Sequence, residues 1–182
     1  MGKIKIEWVD PRLHLQKGFE EDGCVKCLEC NDNCCTKGAD VDRSAYDAIF
    51  KSRGGVEALI GMRLEDCFNK GWGKDAGYPG GKATRSKTTG GACVFKLRGE
   101  KGCALFKLAF SNGLTPDIVP AICRTYPITW NHGKLFLEDE WLIKECHCFA
   151  KNNCSRKSIF ETQKSVLDEL FDLPGQTKAA SE

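Results

Sequence analysis

Five cysteines crowd into twelve residues, Cys24-Val-Lys-Cys27-Leu-Glu-Cys30-Asn-Asp-Asn-Cys34-Cys35. Such a segment has no apolar period to bury, so neither an amphipathic helix nor a half-buried strand suits it. Two-residue gaps let a tight turn aim two sulfurs at one metal while backbone N–H groups stay free for the thiolates. The metal lowers each thiol's pKa and offsets the gathered negative charge. Five thiols exceed the capacity of one tetrahedral zinc, so ligands have to be drawn from along the whole chain.

The chain supplies them. It has 12 cysteines in 182 residues, and Cys93, Cys103, Cys123, Cys146, Cys148 and Cys154 all lie in the second half. Cys67 closes an apolar helical pattern and reads as a small buried hydrophobe. The histidines are His14, His132 and His147. His147 sits between Cys146 and Cys148, a place for a ligand, but the abundance of thiols leaves it a structural or exposed role. The start, MGKIKIEWVD, carries no apolar signal segment, so the expected compartment is the cytoplasm. In that reducing setting clustered thiols bind metal or do redox chemistry more often than they form structural disulfides. Twenty-seven Lys and Arg against 25 Asp and Glu give +2, which points to neither nucleic acid nor a membrane surface. No apolar run is long enough to span a bilayer.

Familiar motifs fail on inspection. Cys24 to Cys34 satisfies C-x2-C-x2-C-x3-C, the bacterial ferredoxin run, but Cys35 stands where ferredoxin has proline, and no second run exists. Radical-SAM spacing needs a cysteine at position 37, which is Lys37. A P-loop reading of GGKAT fails because Ala76 and Ala83 occupy the positions of its glycine and hydroxyl residue. The C-x-x-C pairs Cys24–Cys27 and Cys27–Cys30 lack the strand-to-helix setting of a thioredoxin site. No Ser/His/Asp set is evident, so no catalytic residue is assigned.

The remaining pattern predicts an α+β domain. Ile4, Ile6 and Trp8 alternate with charged residues as one short strand, ended by Asp10–Pro11. Asp40 or Asp42 caps a helix with Val41, Ala45, Ala48 and Ile49 on one side, stopping near Gly54–Gly55. A second helix covers Val56 to Phe68. Residues 71–91, with seven glycines, read as one long mobile loop. Lys74, Lys82, Arg85 and Lys87 on it offer a nucleic-acid surface, but a solvated loop is the plainer reading. Ala92–Leu97 is strand-like, and Cys103–Phe110 has helical spacing. Ile128–Trp130 and Lys134–Leu137 form a hairpin through Asn131–His132–Gly133. The last element is an amphipathic helix with Ile159, Phe160, Gln163, Val166, Leu167, Leu170 and Phe171, ended by Pro174–Gly175. The expected organisation is a single small domain over 1–175, short helices and a few antiparallel strands around a cysteine-ligated metal site. A disordered tail, 176–182, follows.

The order of motifs also resembles a known family. After the run ending in Cys34–Cys35 come Gly91-Ala-Cys93-Val-Phe95 and Gly102-Cys103-Ala-Leu. Pro120-Ala-Ile-Cys123-Arg-Thr-Tyr-Pro127 and Cys146-His-Cys148 follow. This resembles the YkgJ-type cysteine-cluster proteins, described as a zinc- or iron-chelating domain. It is also similar to a related uncharacterised family whose second half reads GCA…K…G…P…C…YP. The likeness covers roughly residues 23–155. It departs at Val119, where many members have Arg, and in a longer Cys103-to-Cys123 interval with extra chain around Ser111–Asp117. One branch is associated with flagellin lysine methylation. Nothing here beyond the cysteine region matches a methyl-donor site, so that activity is not carried over.

The resemblance implies metal binding and gives ligand roles to Cys27, Cys30, Cys34, Cys35, Cys93, Cys103, Cys123 and Cys146, while Cys24, Cys148 and Cys154 are candidates peculiar to this chain. Eight ligands make two four-thiolate sites, as [4Fe–4S] clusters or as zinc, and ligand softness does not separate them. Neighbouring side chains such as Cys34 and Cys35 are expected to diverge, which favours one or two iron–sulfur clusters over structural zinc held by four cysteines. A cluster-dependent protein-modifying or redox enzyme is a further alternative. In that case loop 71–91 and Arg124-Thr-Tyr126 are the places for an unidentified protein partner or substrate.

Overall fold

The computed structural model of the chain describes residues 2–19, 33–111, 113–138 and 154–175. Cys24, Cys27, Cys30, Cys146, His147, Cys148 and the tail 176–182 lie outside the described residues. The architecture is a small α+β domain, with seven helices and several short strands among the described residues. None of these helices is long and apolar enough to cross a membrane.

The N-terminal alternation makes two strands where one was expected. β1 (Ile4–Lys5) pairs in parallel with β12 (Phe171–Asp172). β2 (Trp8–Val9) pairs in parallel with β10 (Lys134–Leu137). The switch falls at Ile6–Glu7: the Ile6 N–H donates to the Asp172 carbonyl and the Glu7 N–H to the Gly133 carbonyl. Changing partners breaks the period of two, so Ile6 is buried while Trp8 is 45% exposed. β10 is also half of the predicted hairpin, antiparallel to β9 (Ile128–Asn131). Its two-residue turn puts both His132 (φ 46°) and Gly133 (φ 71°) in the left-handed region, the geometry that matches strand twist in a tight hairpin.

Around this sheet lies one apolar core. Helix α1 (Arg12–Leu15) contributes Leu13, and α6 (Ile159–Thr162) and α7 (Lys164–Leu170) contribute Ile159 and Leu167. Ile128, Leu135 and Phe171 complete it. The last amphipathic segment is thus two short helices, meeting at Gln163 (φ −103°, ψ 7°). Gln163 Nε2 donates to the Tyr126 carbonyl at 2.9 Å, which ties the break to the C-terminal end of α5 (Ala121–Thr125). Ser158 and Glu161 form a capping box at the start of α6, satisfying N–H groups that the first turn leaves unpaired.

A second core gathers Ile49, Val56, Leu64, Phe95, Leu105 and Ile118. Val41 belongs to it from strand β4 (Asp40–Asp42), outside the helix to which periodicity assigned it. Asp42 is the cap: its Oδ1 accepts the Ala45 N–H at 3.0 Å as α2 (Arg43–Lys51) begins. Gly54–Gly55 do not stop the helical run. They lie inside α3 (Arg53–Ile60), which ends at Gly61 with φ 63°. Leu64 and Cys67 are fully buried just beyond it.

Residues 71–91 are not one long loop. They hold β5 (Gly73–Lys74), a 3-10 turn at Pro79–Gly81, β6 (Lys82–Arg85) and β7 (Thr88–Thr89). β6 pairs antiparallel with β4 on one side and β5 on the other, and β7 with β8 (Ala92–Cys93). The four basic side chains singled out there are partly engaged. Arg85 binds Asp40 and the Lys37 carbonyl, and Lys82 lies over the Trp72 ring. The helical spacing after Cys103 yields α4 (Ala104–Phe106), continued by a wider π turn.

Candidate metal centre

Four separate pieces of chain bring cysteines to one place. Cys34 and Cys35 end a 3-10 turn at Asn33–Cys35. Cys93 closes β8, where a tight turn returns the Lys96 N–H to the Cys93 carbonyl. Cys103 follows Gly102, whose φ of 102° turns the chain back so that Cys103 bridges Lys96. The Gly102 carbonyl takes the Leu97 N–H and the Phe95 carbonyl takes the Ala104 N–H. Cys123 sits on α5, whose first N–H, that of Ala121, donates to Asp42 Oδ2 at 3.0 Å. Asp42 therefore fixes both α2 and the Cys123 helix with one buried carboxylate.

The sulfur atoms interact. Cys34 Sγ and Cys35 Sγ are 3.8 Å apart, so the side chains of this adjacent pair converge. The expected divergence does not occur: the two sulfurs lie in contact at the end of the 3-10 turn. Hydrogen bonds with Cys103 and Cys34, together with burial, push the Cys35 thiol far above its ordinary pKa. Burial raises Cys93 as well, opposed by hydrogen bonds from the Ser86 hydroxyl and the Phe95 backbone. Burial raises Cys123, reinforced by Cys103, Cys34, Cys93 and Asp42. Each shift has the same physical meaning: these sulfurs resist becoming thiolates beside one another without a cation to balance them. A donor set of sulfur alone fits zinc or iron among the common biological metals.

The cluster is a gathering of donors and not a finished cage. Among the described residues no three His, Cys, Asp or Glu side chains are already arranged to hold an ion. Of the predicted ligands, the structure brings together Cys34, Cys35, Cys93, Cys103 and Cys123. Cys24, Cys27, Cys30, Cys146 and Cys148 fall outside the described residues, and Cys154 is described only as the first residue of β11 (Cys154–Ser158). Cys67 lies in the second core: its thiol donates to the Arg63 carbonyl at 3.3 Å, and burial, with a smaller contribution from Cys93, pushes its pKa up to about 11.

Arg124 does not face an open site. Its guanidinium meets both carboxylate oxygens of Glu169 and lies 3.8 Å from Asp117. Sequence reasoning missed Ser86, which holds both Cys93 Sγ and, through the same hydroxyl, the Ala39 N–H. It also missed the second bond of Asp42. The Ala39–Ser86 and Asp42–Ala121 bonds join residues tens of positions apart, and no local spacing announces them.

Compared with known proteins, the chain matches no family model, no curated protein and no solved structure.

Proposed function

We propose that this chain is a metal-binding protein whose cysteines hold a thiolate centre, built on Cys34, Cys35 and Cys103 with Cys93 and Cys123 beside them. The observation that carries the reading is the meeting of five cysteines from four distant pieces of chain in one neighbourhood. Buried thiols packed for their own sake would be scattered through both cores. The resemblance to cysteine-cluster proteins supports the same reading, on motif order alone.

The spacing of the adjacent pair bears on the metal. Two sulfurs each roughly 2.3 Å from one tetrahedral ion stand about 3.8 Å apart, which is the Cys34–Cys35 separation. Thiolates of a polynuclear cluster bind separate irons and stand farther apart. A single four-coordinate ion, zinc by softness and geometry, is therefore the first reading. One or two [4Fe–4S] clusters are the second, favoured by the number of cysteines that remain for them, Cys24, Cys27, Cys30, Cys146 and Cys148.

Anaerobic purification followed by metal analysis and visible spectroscopy tests both. Colourless protein with stoichiometric zinc, lost in Cys34→Ser and Cys35→Ser, is the expected result. A brown protein carrying iron and sulfide replaces zinc with the cluster reading. Protein that holds neither metal, even after anaerobic reconstitution, overturns the proposed function.

A further inference from the structure

A cavity of about 220 Å³ opens onto the thiols. Pockets for drug-sized ligands run to roughly 300–1,000 Å³, so this one suits a molecule much smaller than a nucleotide. Its floor is sulfur, from Cys34, Cys35, Cys103 and Cys123. Phe106, Ile122 and Tyr126 form an apolar wall. Four charged residues reach the lining, and two of them are already satisfied by each other: Arg85 and Asp40 pair at 3.0 Å, and Asp40 also accepts the Tyr78 hydroxyl. Lys37 and Glu138 differ. Both border the cavity, and among the described residues neither side chain has an ion-pair or hydrogen-bond partner.

An ammonium and a carboxylate left without partners among the described residues, on one small cavity, are the complement of a zwitterion. A sulfur floor is the complement of a soft donor, once a metal lies there. We propose that this cavity binds a small thiol-bearing α-amino acid. Lys37 takes the ligand's carboxylate and Glu138 its ammonium. The ligand's thiol reaches the sulfur floor, gives its proton to solvent and, as a thiolate, takes the fourth position of an ion that Cys34, Cys35 and Cys103 would hold. The sulfur contact rests on the metal centre proposed above; the recognition of the two charges by Lys37 and Glu138 does not.

Cobalt(II)-substituted protein provides the test, because thiolate ligation of cobalt gives visible bands that respond to any new ligand. L-cysteine is titrated against cysteamine, which lacks the carboxylate, and 3-mercaptopropionate, which lacks the ammonium. Cysteine should shift the bands saturably, and each truncated analogue should bind several-fold more weakly. Lys37→Met should make cysteine and cysteamine equivalent, and Glu138→Gln should do so for cysteine and 3-mercaptopropionate, with unchanged circular dichroism confirming the fold. Unchanged bands, or cysteine no tighter than its truncated analogues, overturns the inference. Protein that takes up no cobalt sinks the metal centre instead. The amide shifts of Lys37 and Glu138 on adding L-cysteine to metal-free protein then decide the charge recognition separately, and their absence overturns it.

Discussion

The two cores are held in different ways. The core around Ile159, Leu167 and Phe171 is fastened by regular structure: the β2–β10–β9 sheet, the β1–β12 pair and a capped helix. The core around Ile49, Leu105 and Ile118 has helices α2 and α3 on one side. On the other, residues 86–103 run through turns and two-residue strands. Ordering irregular chain costs backbone entropy that few ladder bonds return. That irregular side is also where Cys93 and Cys103 lie. Hydrogen-bonded ladders offset that entropy on the first core, and the metal–thiolate bonds of the proposed centre would offset it on the second.

Metal removal is the strongest way to break this comparison. If the proposed centre is resident, chelation should cost the cysteine-bearing core several kcal/mol and leave the other core nearly intact. Hydrogen exchange reads it: protection of the Ala104 and Lys107 amides should collapse while that of residues 128–137 persists. Equal loss in both regions would show that the cores are not separately fastened. Phe171→Ala is the converse perturbation, removing a fully buried ring that packs edge-on to Trp130. A loss of about 3–5 kcal/mol is expected, read by urea denaturation, with metal content unchanged.

Asp42 sharpens the comparison because it belongs to both sides. Asp42→Ala leaves the buried Ala45 and Ala121 N–H groups without their acceptor, at a cost of about 2–3 kcal/mol. Asp42→Asn retains one acceptor oxygen and should recover part of that loss. Equal stability of the two variants would mean that only one of the bonds matters.

The smallest effect is the acid limb of the sheet-fastened core. Asp10 accepts from Arg12 through side chain and backbone, which holds its carboxyl below the ordinary aspartate value. A depressed folded pKa means stability that is present above the unfolded aspartate range and lost as pH falls through it toward the folded value. Asp10→Asn should therefore flatten the stability profile below about pH 4, seen as a smaller fall in urea midpoint between neutral and acid pH.

What could be read from the sequence was local. The Asn131–His132–Gly133 turn and the Asp42 cap depend on residues within four positions, and both stand where expected. The fold class follows from the same short-range patterns. What escaped was set by distant partners. Lys82–Arg85 become a strand because Asp40–Asp42 pair with it on one side and Gly73–Lys74 on the other, and glycine content alone says nothing of those partners. Trp8 is exposed because its strand has left β12 for β10, a switch that no alternation of side chains records. In the candidate site, residue type sufficed to nominate Cys34, Cys35, Cys93, Cys103 and Cys123. The convergence of the Cys34 and Cys35 side chains is a matter of local backbone and rotamer that composition does not specify.

The 3.8 Å between Cys34 Sγ and Cys35 Sγ also has a kinetic consequence. Two donors on adjacent residues would close a chelate with almost no loop entropy, whereas Cys103 would have to be drawn in across a long stretch of chain. An ion entering the proposed centre would thus be captured first by the pair, while the rest of the domain is still unformed. Each later sulfur would then arrive on an ion already anchored, and the order of ligation would become the order in which the surrounding core assembles.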